Sequence, residues 1–379
     1  MRSNCMSTSA AGCAYFDSAL NAWVLTQYAD VLTALREPQL SPIAPQRKGE
    51  SDNPDENLPL QRRAEIQASL SHLRPLDLRS QIKVMADNMI DLLPADRPID
   101  LVREFIRPWC LAITTLVTGT DVAYRQSLAH IARDLPGGDT ECRNSALRSS
   151  VVKGLTELND SFRRGGVPVC KSAFRTILQT LQYSSASVSI GIRRRLAKAK
   201  FEKLLKEDKA LNKSVFLGTS QTLPSFLSNA WLALLSHPTQ YARLRAEPHL
   251  IYRAVAELLR YANIVHTLRR QATSDLELGG VFIRRGELVV LKLDAANRDP
   301  AHFADPDRLD LDRGVTSEVA LGAGPHSCLG ASIVRTAVPT ATRALVQTFA
   351  QANLCGTAEW YTDSVLRFPV SLDVVLRRR

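Results

Sequence analysis

A glycine-rich loop running straight into a helical pattern constrains this chain more than any other segment. It reads Leu321-Gly-Ala-Gly-Pro-His-Ser-Cys-Leu-Gly-Ala-Ser-Ile-Val-Arg335. Gly322, Gly324 and Gly330 permit tight turns and close approach of the backbone to a flat ligand. Cys328 falls at the predicted start of a helix spanning about Leu329 to Ala350. Unpaired N–H groups and the positive end of the helix dipole favour thiolate over thiol there. A thiolate is a soft, strongly donating ligand that suits haem iron. Two other readings stay open on the residues alone. A lone cysteine is more often a small buried apolar residue than a ligand. A glycine-rich loop before a helix can also hold phosphate, although neither GxxxxGK[ST] nor GxGxxG spacing is present.

The rest of the chain gives this loop a mainly α setting of α+β type, read as one domain over 1–379 with residues 1–20 loosely ordered. Ala22-Trp-Val-Leu-Thr has strand character, and Val31, Leu32 and Leu35 have helical spacing. Ser41 to Pro59 reads as a long loop, and Gln61 to Leu211 as helix with breaks at Pro and Gly. Ser214 to Ser236 reads as a buried central helix with Gly218 and Pro224 inside it, two residues that give a kink an identifiable cause. Pro238 to Tyr261 reads as one further helix. Short strands are expected over 275–295, and a strand or hairpin from Val365 onward.

Composition excludes several classes. The seven cysteines are scattered and form no CxxC pair, which argues against a disulfide framework or structural zinc. No apolar run approaches the roughly 20 residues of a membrane span, so a cytoplasmic location is expected, with no membrane partner. The net charge of +10 comes from 48 basic and 38 acidic residues. It is concentrated over 192–209, where a solvated helix face is the simplest reading. No zinc-finger or aromatic–basic motif points to nucleic acid.

The cysteine segment resembles the haem-binding signature of the cytochrome P450 family, Phe-Gly-x-Gly-x-His-x-Cys-x-Gly. It departs only at the first position, where Leu321 replaces phenylalanine. Glu257-Leu-Leu-Arg260 resembles the family's ExxR pair, and Ala296 to Arg313 resembles the irregular stretch before its cysteine loop. The resemblance implies haem b with Cys328 as iron ligand, lodged in a loop formed by Leu321, Gly322, Gly324 and Gly330. It implies Arg270 and His326 at the propionates, where both suit carboxylates, and a buried network of Glu257, Arg260 and Arg313. Gln61 and Glu65 stand where relatives carry a histidine and an arginine for the propionates. Gln61 can still donate, Glu65 would repel, and a small register shift would bring in Arg62 or Arg63 instead.

On the central helix the family's Ala-Gly-x-acid-Thr matches Gly218-Thr-Ser-Gln-Thr222 without a gap. Thr222 then lies beside the oxygen site, and Gln221 replaces the acid. A one-residue shift would put Gln221 at the threonine position. An amide can position water but cannot relay a proton as a carboxyl does. The chain is also short at its start relative to the family, which implies either a more open substrate side or a truncated start. The implied function is insertion of one oxygen atom from O2 into an apolar small molecule (a terpenoid, polyketide or fatty acid). Electrons would come from an acidic ferredoxin and its reductase, to a monomer. The lining would come from residues 41–60 and 165–190, the central helix, 262–268 and the turn near Phe368. Two alternatives stand beside this reading, the first of them suggested by Gln221. One keeps haem but runs peroxide-driven oxidation, oxidative coupling, isomerisation or dehydration. The other is a haem or ligand-binding protein without catalysis.

Overall fold

The computed structural model describes residues 14–43, 63, 75–118, 218–313, 318–362 and 366–378. The first strands sit in a mixed five-stranded sheet. Strands β1 (Tyr15–Asp17) and β2 (Ala22–Leu25) form an antiparallel pair. Strand β2 runs parallel to β8 (Leu288–Lys292), which pairs antiparallel with β5 (Thr267–Ala272). Strand β3 (Leu40–Pro42) closes the edge, giving the order β1-β2-β8-β5-β3. Residues 15–17 thus have a fixed place inside the stretch that the sequence left loose.

Helix α1 (Tyr28–Arg36) covers this sheet with Val31 and Leu35, one turn apart on the same face. Its start is fixed where the Tyr28 backbone N–H donates to Asp299 Oδ2 at 2.8 Å.

The larger core belongs to helices, which dominate among the described residues. Helix α2 (Pro75–Asp91) leads to β4 (Pro98–Asp100), a π-turn at Val102–Ile106 and α3 (Arg107–Thr118). A second π-turn, Gly218–Thr222, opens onto α4 (Leu223–Leu235). Helix α4 is buried at nearly every position, including Leu227, Trp231 and Leu234. A helix apolar all round has no face to give to water and must run through the centre. Phe105 stacks against Trp109 and Trp231, with centroids 5.6 and 5.4 Å apart. The Trp231 indole N–H donates to Thr342 Oγ1 at 3.0 Å, satisfying its polar atom inside the core.

The stretch read as one helix from Pro238 to Tyr261 is two: α5 (Pro238–Ala246) and α6 (Ile251–Tyr261). Pro248 divides them. It pushes Glu247 out of helical conformation, to φ −124° and ψ 70°. Downstream come the hairpin β6 (Leu276–Leu278) and β7 (Val281–Ile283), the short helix α7 (Leu293–Ala296) and the long helix α8 (Ala331–Thr348). The C-terminal strands are β9 (Phe349–Leu354), β10 (Trp360–Thr362), β11 (Arg367–Pro369) and β12 (Asp373–Arg378). Strand β12 sits between β4 and β9, and β10 pairs with β11. No helix among the described residues is long and apolar enough to cross a membrane.

Candidate active site

Cys328 lies in the bend between a single 3-10 turn, Gly324–His326, and helix α8. The helix starts at Ala331 rather than near Leu329, because Gly330 takes the N-cap place and its carbonyl accepts from Val334 N at 3.0 Å. The Cys328 backbone N–H donates to Leu321 O at 2.8 Å, and its carbonyl accepts from Ala331 N at 3.2 Å. The thiol is therefore held at the positive end of α8, as its thiolate form requires.

The glycines have separate reasons. Gly322 and Gly324 both take left-handed backbone, at φ +68° and +69°. A Cβ at Gly324 would also stand 2.7 Å from Leu35 O, so the loop packs directly onto the end of α1. A Cβ at Gly330 would lie 3.9 Å from the Cys328 sulfur, with no other described atom beyond its two chain neighbours within 4 Å. Leu321 is buried in the main core beneath the loop and covers the apolar side, as the phenylalanine of the family signature would.

Basic groups gather beside the loop. Arg270 is 2% exposed in the middle of β5, and Arg63 is also 2% exposed. The Arg63 Nε donates to Pro325 O at 3.2 Å, and a terminal nitrogen donates to Ser327 O at 2.6 Å. His326 feels the charge of both cations. Burial, then the Arg270 guanidinium, then that of Arg63 push its pKa down to about 4. Its Nδ1 is buried with no hydrogen-bond partner among the described residues. Gln61, Glu65 and Arg62 lie outside the described residues. Of the two arginines considered for that region, Arg63 is the one seen reaching the loop.

A second layer fixes the backbone that carries the loop. Glu257 and Arg260, 1% and 0% exposed, form a two-point pair at 2.7 and 2.8 Å. Arg313 Nε joins Glu257 at 3.2 Å. Arg260 also donates to the carbonyls of Asn297 (2.7 Å) and Pro306 (2.8 Å), and Arg313 donates to those of Ala304 and Asp305. The irregular stretch before the cysteine loop thus hangs on the buried guanidinium of Arg260 and the half-buried one of Arg313. The network inferred by resemblance is formed, although an i, i+3 pair alone reads as a surface contact.

The central helix carries the other candidate residues. The kink expected from Gly218 and Pro224 is the π-turn, a local widening frequent at functional sites. Pro224 follows in the first turn of α4, where its missing N–H leaves the preceding turn one donor short. Within the turn, Ser220 Oγ and Gln221 Nε2 are buried without a hydrogen-bond partner among the described residues. Thr222 is half-buried and stands seven residues before Asn229, which places the two on one helical face. The Asn229 amide donates to Ala262 O at 2.8 Å. That face therefore looks toward 262–268. A bridge joins Val265 to Leu366, and Arg367 N donates to Ile264 O at 3.0 Å. Phe368 stacks on Tyr361 (5.0 Å) and packs against the main core. Three of the five lining segments expected from sequence are thus assembled together. The segment 165–190 and nearly all of 41–60 lie outside the described residues.

Haem b is a flat macrocycle with a central iron and two carboxylates. The residues present fit it. A thiol sits at a helix N-terminus beside unfilled space, and an unpartnered buried imidazole nitrogen lies near two guanidiniums, as an anion requires.

Comparison with known proteins agrees. The family model "Cytochrome P450" matches residues 196–360. Nocardicin C N-oxygenase of Nocardia uniformis is 28% identical over 384 residues, covering 93% of this chain and 89% of that protein. The biotin biosynthesis cytochrome P450 of Bacillus subtilis is 38% identical over a shorter stretch of 167 residues, and the match spans only 42% of that relative. The fold matches the crystal structure of CYP109B1 from Bacillus subtilis at TM-score 0.73 and 23% identity, over 96% of this chain and 95% of that one. Sequence and fold point the same way: residues 196–360 match the cytochrome P450 family, and the chain is folded as solved cytochromes P450 are.

Proposed function

We propose that this chain inserts one oxygen atom from O2 into an apolar small molecule, with electrons from an acidic ferredoxin and its reductase. The observation that carries the reading is the seat of Cys328 at the positive end of α8, beside the space that Gly330 leaves open. Bound haem supplies the oxygen-activating, one-electron chemistry. Cys328 gives the thiolate ligand, and His326 and Arg270 hold the carboxylates, with Gln61 as a further donor. Thr222 offers a hydroxyl donor on the opposite wall. Gln221 holds water there by its amide but cannot take up and release a proton.

The substrate class rests on the lining. Val265 packs against both cores, and α4 and Phe368 present apolar surface. A terpenoid, polyketide or fatty-acid-like molecule suits such walls. An acidic electron donor suits a chain of net charge +10. The working protein in this reading is a cytoplasmic monomer.

Gln221 favours one second reading, a haem-thiolate enzyme driven by peroxide or running coupling, isomerisation or dehydration. Turnover with NADPH, reductase and ferredoxin, compared with hydrogen peroxide, separates the two in wild type and in Gln221→Glu. A positioned proton donor contributes roughly 10²–10⁴-fold. A gain of about tenfold or more in NADPH-coupled turnover supports monooxygenation. No gain, with peroxide supporting turnover, supports the second reading. Ligand-induced haem shifts across an apolar panel without any product would instead mark a binding protein.

A further inference from the structure

We propose that Arg63 is the positioning residue of the cysteine loop, acting on Cys328 through the backbone that it clamps. Arginine is seldom fully buried, and a guanidinium taken out of water needs good hydrogen bonds to be tolerated. Arg63 is 2% exposed and spends its fork on two carbonyls of one tight turn, Pro325 O at 3.2 Å and Ser327 O at 2.6 Å. These flank His326 and end at the residue before Cys328. Ser327 O and Cys328 N–H belong to the same peptide group. One end of that group is held by Arg63, and the other donates to Leu321 O at 2.8 Å. A planar peptide fixed at both ends sets the direction in which the cysteine side chain leaves the backbone.

The turn's internal bond is Ser327 N to Gly324 O at 3.1 Å, and the glycines before it sit in left-handed backbone. The clamp reaches across 262 and 264 residues of chain, so it ties the loop to a distant segment. Only a rigid fork spans both carbonyls; a lysine ammonium is a single point.

The proposal rests on Cys328 being the iron ligand. Its test uses the haem-loaded protein, wild type, Arg63→Met and Arg63→Lys. One readout is the reduced, carbon monoxide-bound spectrum followed in time, which separates thiolate from neutral-thiol ligation. The other is haem transfer to apomyoglobin. The proposal expects Arg63→Met to convert from the thiolate to the neutral-thiol band about tenfold faster, which corresponds to about 1.4 kcal/mol. Arg63→Lys should fall between it and wild type. Unchanged conversion in both variants overturns the proposal. So does faster haem transfer with unchanged conversion, which would give Arg63 a role at the propionates alone. If Arg63→Met does not fold, Arg63→Lys converting at the wild-type rate overturns it. A wild-type protein with no thiolate band refutes the ligand reading itself, and the proposal with it.

Discussion

Glu257→Gln keeps the shape of the side chain and removes one charge from a network whose central pair is almost fully buried. In the wild type, Glu257 Oε1 accepts from Arg260 (2.8 Å), the Asp310 backbone N–H (3.0 Å) and Arg313 Nε (3.2 Å). Oε2 accepts from Arg260 Nε at 2.7 Å. An amide replaces one of these acceptors with a donor, so an N–H must face a guanidinium or the Asp310 N–H. Arg260 is also left with its charge uncompensated at 0% exposure. Removing one partner of a buried pair costs about 3–5 kcal/mol, a large share of the roughly 5–15 kcal/mol that folded domains possess. Urea unfolding of the haem-loaded protein measures this, with haem content followed in parallel. A loss under about 1 kcal/mol for Glu257→Gln would refute the claim that this network holds the loop's backbone.

Gly324→Ala should cost about 2–5 kcal/mol. Left-handed backbone contributes about 1–2 of that, and overpacking against Leu35 O contributes about 1–3. Gly322→Ala, whose Cβ would meet Ser327 at 3.6 Å, should cost only the backbone part, and equal losses in urea would contradict the packing account. Glu318 is a carboxyl whose pKa burial raises against the opposing pull of Arg335 at 2.9 Å. Its folded pKa thus exceeds its unfolded value, so it adds stability as pH falls through the raised value toward 4.5. Glu318→Gln should lose that slope, so the wild-type-minus-variant stability difference should rise as pH falls toward 4.5, and a difference that does not change with pH would show that Glu318 does not titrate this way. Asn229→Ala leaves the Ala262 carbonyl without its 2.8 Å donor. The expected loss is about 1–3 kcal/mol, with weaker ligand-induced spectral shifts; wild-type shifts would separate Asn229 from the pocket wall.

Local features of the fold were legible because their causes are local. Strand β2 and helix α1 announce themselves by composition and by the spacing of Val31 and Leu35, and the widened turn before α4 by Gly218 and Pro224. The division of α5 from α6 was also written in the sequence, at Pro248, and was passed over because the apolar spacing continues beyond it. The start of α8 shifts by two residues because Gly330 serves as cap rather than as first turn.

The site was less legible, for a physical reason. Glu257 and Arg260 three residues apart look like a surface pair, and only the resemblance marked them as buried. Arg63 carries no local mark at all. Its burial comes from a turn more than 260 residues away, a tertiary contact that neither propensity nor periodicity encodes.

The central claim is that Cys328 binds the haem iron as a thiolate. The reduced, carbon monoxide-bound absorption spectrum of the haem-loaded protein tests it most directly. A thiolate trans to carbon monoxide gives a strongly red-shifted band, which wild type should show and Cys328→Ser should lose. A folded, haem-loaded wild type without that band, or an unchanged band in Cys328→Ser, would contradict the account.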